Sequence, residues 1–293
     1  MAQEQKLAVS ALNVRIVDKD KRDYEALFRS LLRQRRPVRV YNNDYLILTS
    51  FGNSGVDRMR LQGALGRFTD IPEDADWLDT NSLEEADDDD KAAIHIPENL
   101  KPNYEAFYCG LFVQEHIFTF ETFSDSERLS PRHVLKWLRE ATKSSRTLER
   151  FGPVEVDLIP DYGVLDRILE SETLRRIEIT IRKPNPDELT ALQFDAVEAR
   201  LTSLNAREEK IEYKSQEDGY LNLDEKTEAL AKVGAENGSV EGHLQEDGAM
   251  KTIRTANHPM QMQEMFDPDE VSGISKFISL ALRLVARVRE NRA

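Results

Sequence analysis

Hydrophobic positions along the chain change period from segment to segment. In LAVSALNVRIV, Leu12, Val14 and Ile16 alternate with polar or charged residues, which predicts a strand. DKDKRDYEALFRSLLRQ follows, with Tyr24, Leu27, Phe28, Leu31 and Leu32 at helical spacing and Asp18 or Asp20 as its cap. Pro37 ends that helix, because proline disfavours the helical conformation in the residue before it. Residues 45–51 (YLILTSF) and 58–68 (RMRLQGALGRF) read as two more strands around the turn residues GNSG, an antiparallel meander packed on the first helix. YEAFYCGLFV and HIFTFETF, joined at Gln114-Glu115, read as a hairpin. LSPRHVLKWLREATKS is then a helix with Ser130 as cap, Pro131 in its first turn, and Val134, Leu135, Leu138 and Ala141 as its buried stripe.

Phe151-Gly152-Pro153 punctuates the chain, and the boundary between two α+β units is placed there, giving residues 1–150 and 151–293. Beyond it, VEVDLIP reads as a strand, YGVLDRILE as a short helix and LRRIEITIRK as a strand ending at Pro184. From Pro186 a long helical region runs through DELTALQFDAVEARLTSLNAREEKIEYK, followed by a polar stretch holding Gly219, Gly234 and Gly238. GSVEGHLQ and MKTIRTA flank the turn signal Glu246-Asp247-Gly248. The chain closes on an apolar stripe of Ile274, Phe277, Ile278, Ala281, Leu282 and Val285, a C-terminal helix whose stripe suits either a core or a dimer interface. Its last arginines, Arg289 and Arg292, are favoured by the helix dipole without needing a partner. Hairpins join neighbours more often than helical crossovers do, so the fold class is α+β with mainly antiparallel sheets.

Charge changes this picture. The 293 residues carry 54 acids against 40 Lys and Arg, a formal net charge of -14. Such a chain repels nucleic acid at long range unless its bases are segregated. They are segregated. Arg33, Arg35, Arg36 and Arg39 fall within seven residues, where a helix gives way to a strand. Arg132, Lys136, Arg139 and Lys143 follow one another along one face of the middle helix. Segregated bases are what phosphate contacts require; the alternative is a solvated helix face paired with acids such as Glu140. Residues 71–90 hold ten acids and no base, and DDDD at their end reads as a solvated insertion or as a surface that mimics phosphate. Trp77 within it suggests local docking.

Motifs for catalysis are sparse. No phosphate-cradling GxxxxGK[ST] loop, GxGxxG, GxSxG or HExxH occurs. His95, His116, His133, His243 and His258 are too far apart in sequence for a standard local metal motif, and no metal or cofactor is assigned. The single Cys109 excludes an intramolecular disulfide, and its strand register favours packing over pairing with His116 as a nucleophile. Asp187 with Glu212 and Lys214 mimics the PD…ExK set of Mg²⁺-dependent nucleases. Against that reading, Asp187 stands as a first-turn helix acid and IEYK as the end of a charged helix. No run approaches the roughly 18 apolar residues that span a bilayer, and the N-terminus lacks a signal-peptide pattern, so a cytoplasmic protein is expected.

The order of elements resembles the RexA-type phage-exclusion proteins of temperate phages and, more loosely, other bacterial phage-defence proteins. The likeness is carried by YNNDYLILTSF, by EAFYCGLFVQEHIFTFETF with LSPRHVLKWLRE, by VEVDLIP with VLDRILESETLRRIEITIRKPNPDEL, and by GHLQEDGAMKTIRT before the final helix. It implies a non-catalytic homodimer that binds DNA without strong sequence preference; on this chain the two basic groups above would make the phosphate contacts, and the output would need a partner such as an effector encoded nearby. This chain departs from the family in its acidity and in the insertion at residues 71–90, which keeps a protein-interaction module open as an alternative.

Overall fold

The computed structural model describes residues 4–72, 75–124, 127–182, 192–246 and 248–292. The chain begins with β1 (Gln5–Ile16), α1 (Tyr24–Gln34), β2 (Val38–Tyr41), β3 (Asp44–Asn53) and β4 (Met59–Thr69). A thin excursion of β5 (Leu78–Asp79), β6 (Glu84–Glu85) and α2 (Asp88–Ala93) precedes the hairpin of β7 (Glu105–Phe112) and β8 (Ile117–Ser124). Next come β9 (Glu127–Arg128), α3 (Pro131–Ala141), α4 (Ser145–Phe151), β10 (Val154–Leu158), α5 (Tyr162–Leu169) and β11 (Leu174–Arg182). The last elements are α6 (Leu192–Ser203), β12 (Glu208–Lys214), α7 (Glu225–Glu236), β13 (Gly238–Glu246), β14 (Ala249–Arg254), β15 (Gln261–Phe266) and α8 (Gly273–Arg292). The fold is α+β, its strand pairings are antiparallel, and the main sheet is curled.

The main sheet runs β10-β1-β8-β7-β4-β3-β2, with β15 also on β1 and β9 on β8. β1 is long enough to take two neighbours in succession along one edge: Gln5 to Ser10 pair with β15, and Leu12 to Ile16 pair with β10. An isolated bridge between Pro160 and Pro259 closes the gap where the chain leaves and returns. The second sheet, β12-β11-β13-β14, is therefore an insertion between two edge strands of the first. This corrects the division at residue 150, since β10, β15 and α8 all belong to the first sheet's layers. Phe151-Gly152-Pro153 does punctuate the chain, with Gly152 at φ 70 ending α4, but it separates a helix from a strand and not two units.

Both faces of the main sheet are covered. Leu12, Val14, Ile16, Phe118 and Phe120 pack with α1, α3 and α4 on one side, where Trp137 fills the centre. Leu7, Val9, Ala11, Phe112 and Ile117 pack with α8 on the other. β1 is thus buried from Leu7 to Ile16, polar positions included, where alternation predicts one wet face. In α8 the buried residues are Phe277, Leu280, Ala281, Leu284, Val285 and Val288; Ile274, Ile278 and Leu282 are only partly covered. The chain's own sheet takes this stripe, and Arg292 does have a partner, Glu236, at 2.7 Å.

Other sequence expectations shift locally. Asp23 caps α1 by accepting from the Ala26 N–H, while Asp18 caps a single 3-10 turn before it. Ser130 precedes α3 without a side-chain cap bond. The long helical region resolves into α6 and then β12, so IEYK is strand: its partner β11 offers a complete antiparallel edge from Arg176 to Arg182. Pro184, Pro186 and Asp187 lie outside the described residues. The supposed polar stretch contains α7, whose Gly234 lies so close to β11 that a Cβ would meet Ile179 Cγ2 at 2.7 Å. That glycine permits close packing. The acidic run is also ordered differently: Asp87 caps α2, and Asp88, Asp89 and Asp90 occupy its first turn, where the helix dipole favours them.

A buried carboxylic acid sits on β8 of the main sheet. Glu121 on β8 is 1% exposed. One oxygen accepts the Tyr108 N–H at 2.6 Å and the other has no hydrogen-bond partner among the described residues. Burial pushes its carboxyl from 4.5 up to about 8, against the opposing pull of the Tyr108 bond. A folded pKa above the unfolded one means that the native state holds the proton between those values. Stability from this group is therefore greatest below pH 4.5 and is lost as pH rises to about 8. The slope reaches at most about 1.4 kcal/mol per pH unit. Glu121→Gln should flatten this loss in urea unfolding at pH 6 and pH 8; equal slopes in both proteins would refute the assignment.

Candidate nucleic-acid interface

The predicted basic residues converge around α3. On one flank α3 packs along β2, and Lys136 Nζ donates to the Val40 carbonyl at 3.1 Å. On the other it packs along β10, the sheet's edge strand, and Arg139 Nε donates to the Val156 carbonyl at 2.8 Å. Just beyond its C-terminal end, the start of α4 meets the end of α1. Gln34 Nε2 donates to Thr147 Oγ1 at 3.0 Å, and Ser144 Oγ donates to Gln34 Oε1 at 2.8 Å. Arg33, Arg35 and Arg36 therefore sit beside Lys143, the residue before Ser144, and Arg39 lies on the strand that Lys136 touches. The arginine cluster and the helical stripe share one corner of the molecule.

Their chemistry differs. Arg139 pairs with Asp157 at 2.9 Å, and Lys143 with Glu140 at 2.6 Å. Arg132 donates to the neutral side chain of Asn257. Arg39 donates to the Asn42 carbonyl and, at 3.3 Å, to Asn43 Oδ1. Arg33, Arg35 and Arg36 are exposed and form no ion pair among the described residues. Six of the eight predicted cations thus form no ion pair among the described residues, and four of these come from residues 33–39. Arg146, exposed in the first turn of α4 and equally without an ion pair among the described residues, extends the set and escaped the sequence reading.

Backbone geometry holds the corner open. Arg35 is the C-cap of α1 in the left-handed region, φ 46, and its N–H donates to the Leu32 carbonyl. Glycine normally fills such a position, and a side chain there costs on the order of 1 kcal/mol. The cap turns the chain so that Arg36 and Pro37 stand exposed before β2 begins.

Beside the corner runs a groove of about 660 Å³ between the β10 edge, the end of α3 and the second sheet. Arg139, Arg182, Arg207 and Lys143 line it with Glu155. A narrower continuation of about 320 Å³ reaches Arg132. At its base Asp157, only 3% exposed, receives Arg15 of β1, Arg139 of α3 and Arg182 of β11, the last at 2.6 Å. Arg15 lies 3.8 Å from Glu155, and Arg207 lies 3.3 Å from the same carboxylate. Arg182 is 3.7 Å from Glu208. Four arginines meet three carboxylates here, so the groove is nearly self-neutral, whereas the corner is not.

On the nuclease set, Glu212 and Lys214 stand on β12, 3.4 Å apart, with Glu212 also paired to Arg176. Asp187 lies outside the described residues. Among the described residues no group of three His, Cys, Asp or Glu could hold a metal ion. Cys109 is buried, and burial, then the nearby Glu121, pushes its thiol well up. His116 stacks instead on Tyr24, ring centroids 4.4 Å apart. Among the described residues no helix is long and apolar enough to cross a membrane.

These features define an α+β protein of two principal sheets with a cationic corner built on a helix end, a strand and a helix face. The family model described as a domain of unknown function (DUF4747) matches residues 5–282, and the chain belongs to that family. No curated protein matches it.

The inner cluster is structural, and its removal should show as lost stability. Asp157→Ala leaves Arg15, 2% exposed, without its closest counter-charge, and should cost about 3–5 kcal/mol in urea unfolding. A loss under about 1 kcal/mol, the scale of an exposed pair, would mean that Glu155 suffices to neutralise Arg15.

Proposed function

We propose that the protein binds the phosphate backbone of nucleic acid through Arg33, Arg35, Arg36 and Arg39, with Arg132 and Lys136 extending the track along α3. The observation that carries this reading is the cluster of cations with no carboxylate partner among the described residues, on a chain of net charge -14. Like charges this close repel, and a phosphate strand would offset that repulsion and release its own counterions. Arg139 and Lys143 are assigned less, because their charge is already met within the chain. The role follows the resemblance to RexA-type exclusion proteins: a non-catalytic, cytoplasmic homodimeric sensor of DNA in phage defence, passing its signal to an effector protein.

A second reading rests on the excursion from β5 to α2. Leu78 and Leu83 are exposed there among acids, as a surface for a basic protein partner would be. It becomes the better account if no nucleic acid binds.

A salt titration of DNA binding by fluorescence anisotropy tests the first reading. The variant is Arg35→Gly with Arg36→Ala. It removes two cations, while glycine at position 35 relieves the left-handed cap, so the unfolding midpoint should not fall. The slope of log affinity against log salt should shrink by about 1.8 for duplex DNA, roughly 0.9 per lost phosphate contact. Absence of binding at low salt, or an unchanged slope in the variant, would overturn the reading. The homodimer is read separately by sedimentation of the free protein: twice the chain mass is expected, and a single-chain mass would remove the dimer from the proposal.

A further inference from the structure

The same surface carries an exposed aromatic ring. Tyr41 ends β2 and remains 57% exposed. Its ring lies on that of His133 in the first turn of α3, centroids 5.5 Å apart and planes within 16°. One face of the tyrosine is therefore backed, and the exposure belongs to the other face and the edge. The cations around it are those of the proposed interface: Arg39, exposed two residues earlier on the strand, and Lys136, held by the Val40 carbonyl next to Tyr41. Burial, with help from Lys136 and Arg67 and against Asp44, keeps the imidazole of His133 below its ordinary value.

A backed aromatic ring among unneutralised cations differs from what a duplex needs. Paired bases are already stacked and offer a tyrosine no face, whereas an unpaired base gains by stacking on one while the backbone meets the cations. The turn after Tyr41 fixes the backbone that carries the ring. Asn42 takes the left-handed conformation at φ 39, and Tyr41 pairs across the turn with Asp44, so little ordering remains to be done on binding.

We infer that Tyr41, backed by His133 and flanked by Arg39 and Lys136, is a stacking platform for an unpaired base, and that the surface takes single-stranded nucleic acid in preference to duplex. This rests on the phosphate-binding reading above and adds the class of ligand to it. Anisotropy with a labelled thymidine single strand and a duplex of equal length, at one low salt concentration, tests it. Wild-type protein should bind the single strand more tightly. Tyr41→Ala should weaken single-strand binding about 5- to 150-fold, the span of 1–3 kcal/mol for one stacked base. It should leave duplex affinity and the salt slope unchanged, since no charge is lost. Tyr41→Phe should retain single-strand affinity, because the stacking ring remains. Equal loss for both strands in Tyr41→Ala, or no loss in either, would overturn the platform while leaving the phosphate reading in place. Failure of wild-type protein to bind any strand would overturn both.

Discussion

One buried carboxylate holds the architecture together. Asp157 lies on the edge strand of the main sheet and collects guanidiniums from three elements that share no backbone pairing with one another: β1, α3 and β11. Arg15 reaches further, to Asn237 and to the Glu236 carbonyl at the end of α7. Glu236 in turn meets Tyr162 of α5 at 2.6 Å and Arg292 of α8. One polar chain thus links both sheets and the helices on both faces. Buried ion pairs add little net stability over an apolar packing, because desolvation offsets the attraction. Their effect is on geometry: a carboxylate that must satisfy three directional donors leaves few ways to dock the inserted sheet against the edge of the first.

That arrangement sorts the cations of an acidic protein into two kinds. Those turned inward are neutralised and structural. Those left at the end of α1 and on β2 keep their charge. Beyond roughly 8 Å at physiological salt the field of any surface group is screened. That screening damps the repulsion from the chain's net charge at a distance and leaves the local charge of the corner to act at close range. Overall acidity and a locally positive corner are therefore compatible.

Much of the fold was legible from periodicity. The meander, the β7–β8 hairpin, α3, the first strands and helix of the second half, and the β13–β14 hairpin stand where the pattern placed them, because each carries a clear hydrophobic period or turn signal of its own. The errors share a cause. β12 read as helix because a charged segment with no fully buried position has no strong period of its own and takes its form from β11. α7 was hidden by Gly234, which local rules read as a turn and tertiary packing uses as a gap. The boundary at residue 150 overlooked that one long strand needs two successive edge neighbours from opposite ends of the second half.

The candidate site divides in the same way. Sequence alone determined that the basic residues are clustered, that Pro37 breaks the helix beneath them, and that α3 carries cations opposite its apolar stripe, since spacing and backbone chemistry decide those points. Which of the cations remain free was decided only in three dimensions. Asp157 lies 18 residues from Arg139 along the chain and 142 from Arg15, and nothing local reveals that one acid neutralises both. Nor does any local rule seat Tyr41 on His133, 92 residues away. Charge is a property of a residue, but its compensation belongs to the neighbours that folding supplies. The arginines could be counted in the sequence, and the surface they form exists only once α1, β2 and α3 are packed together.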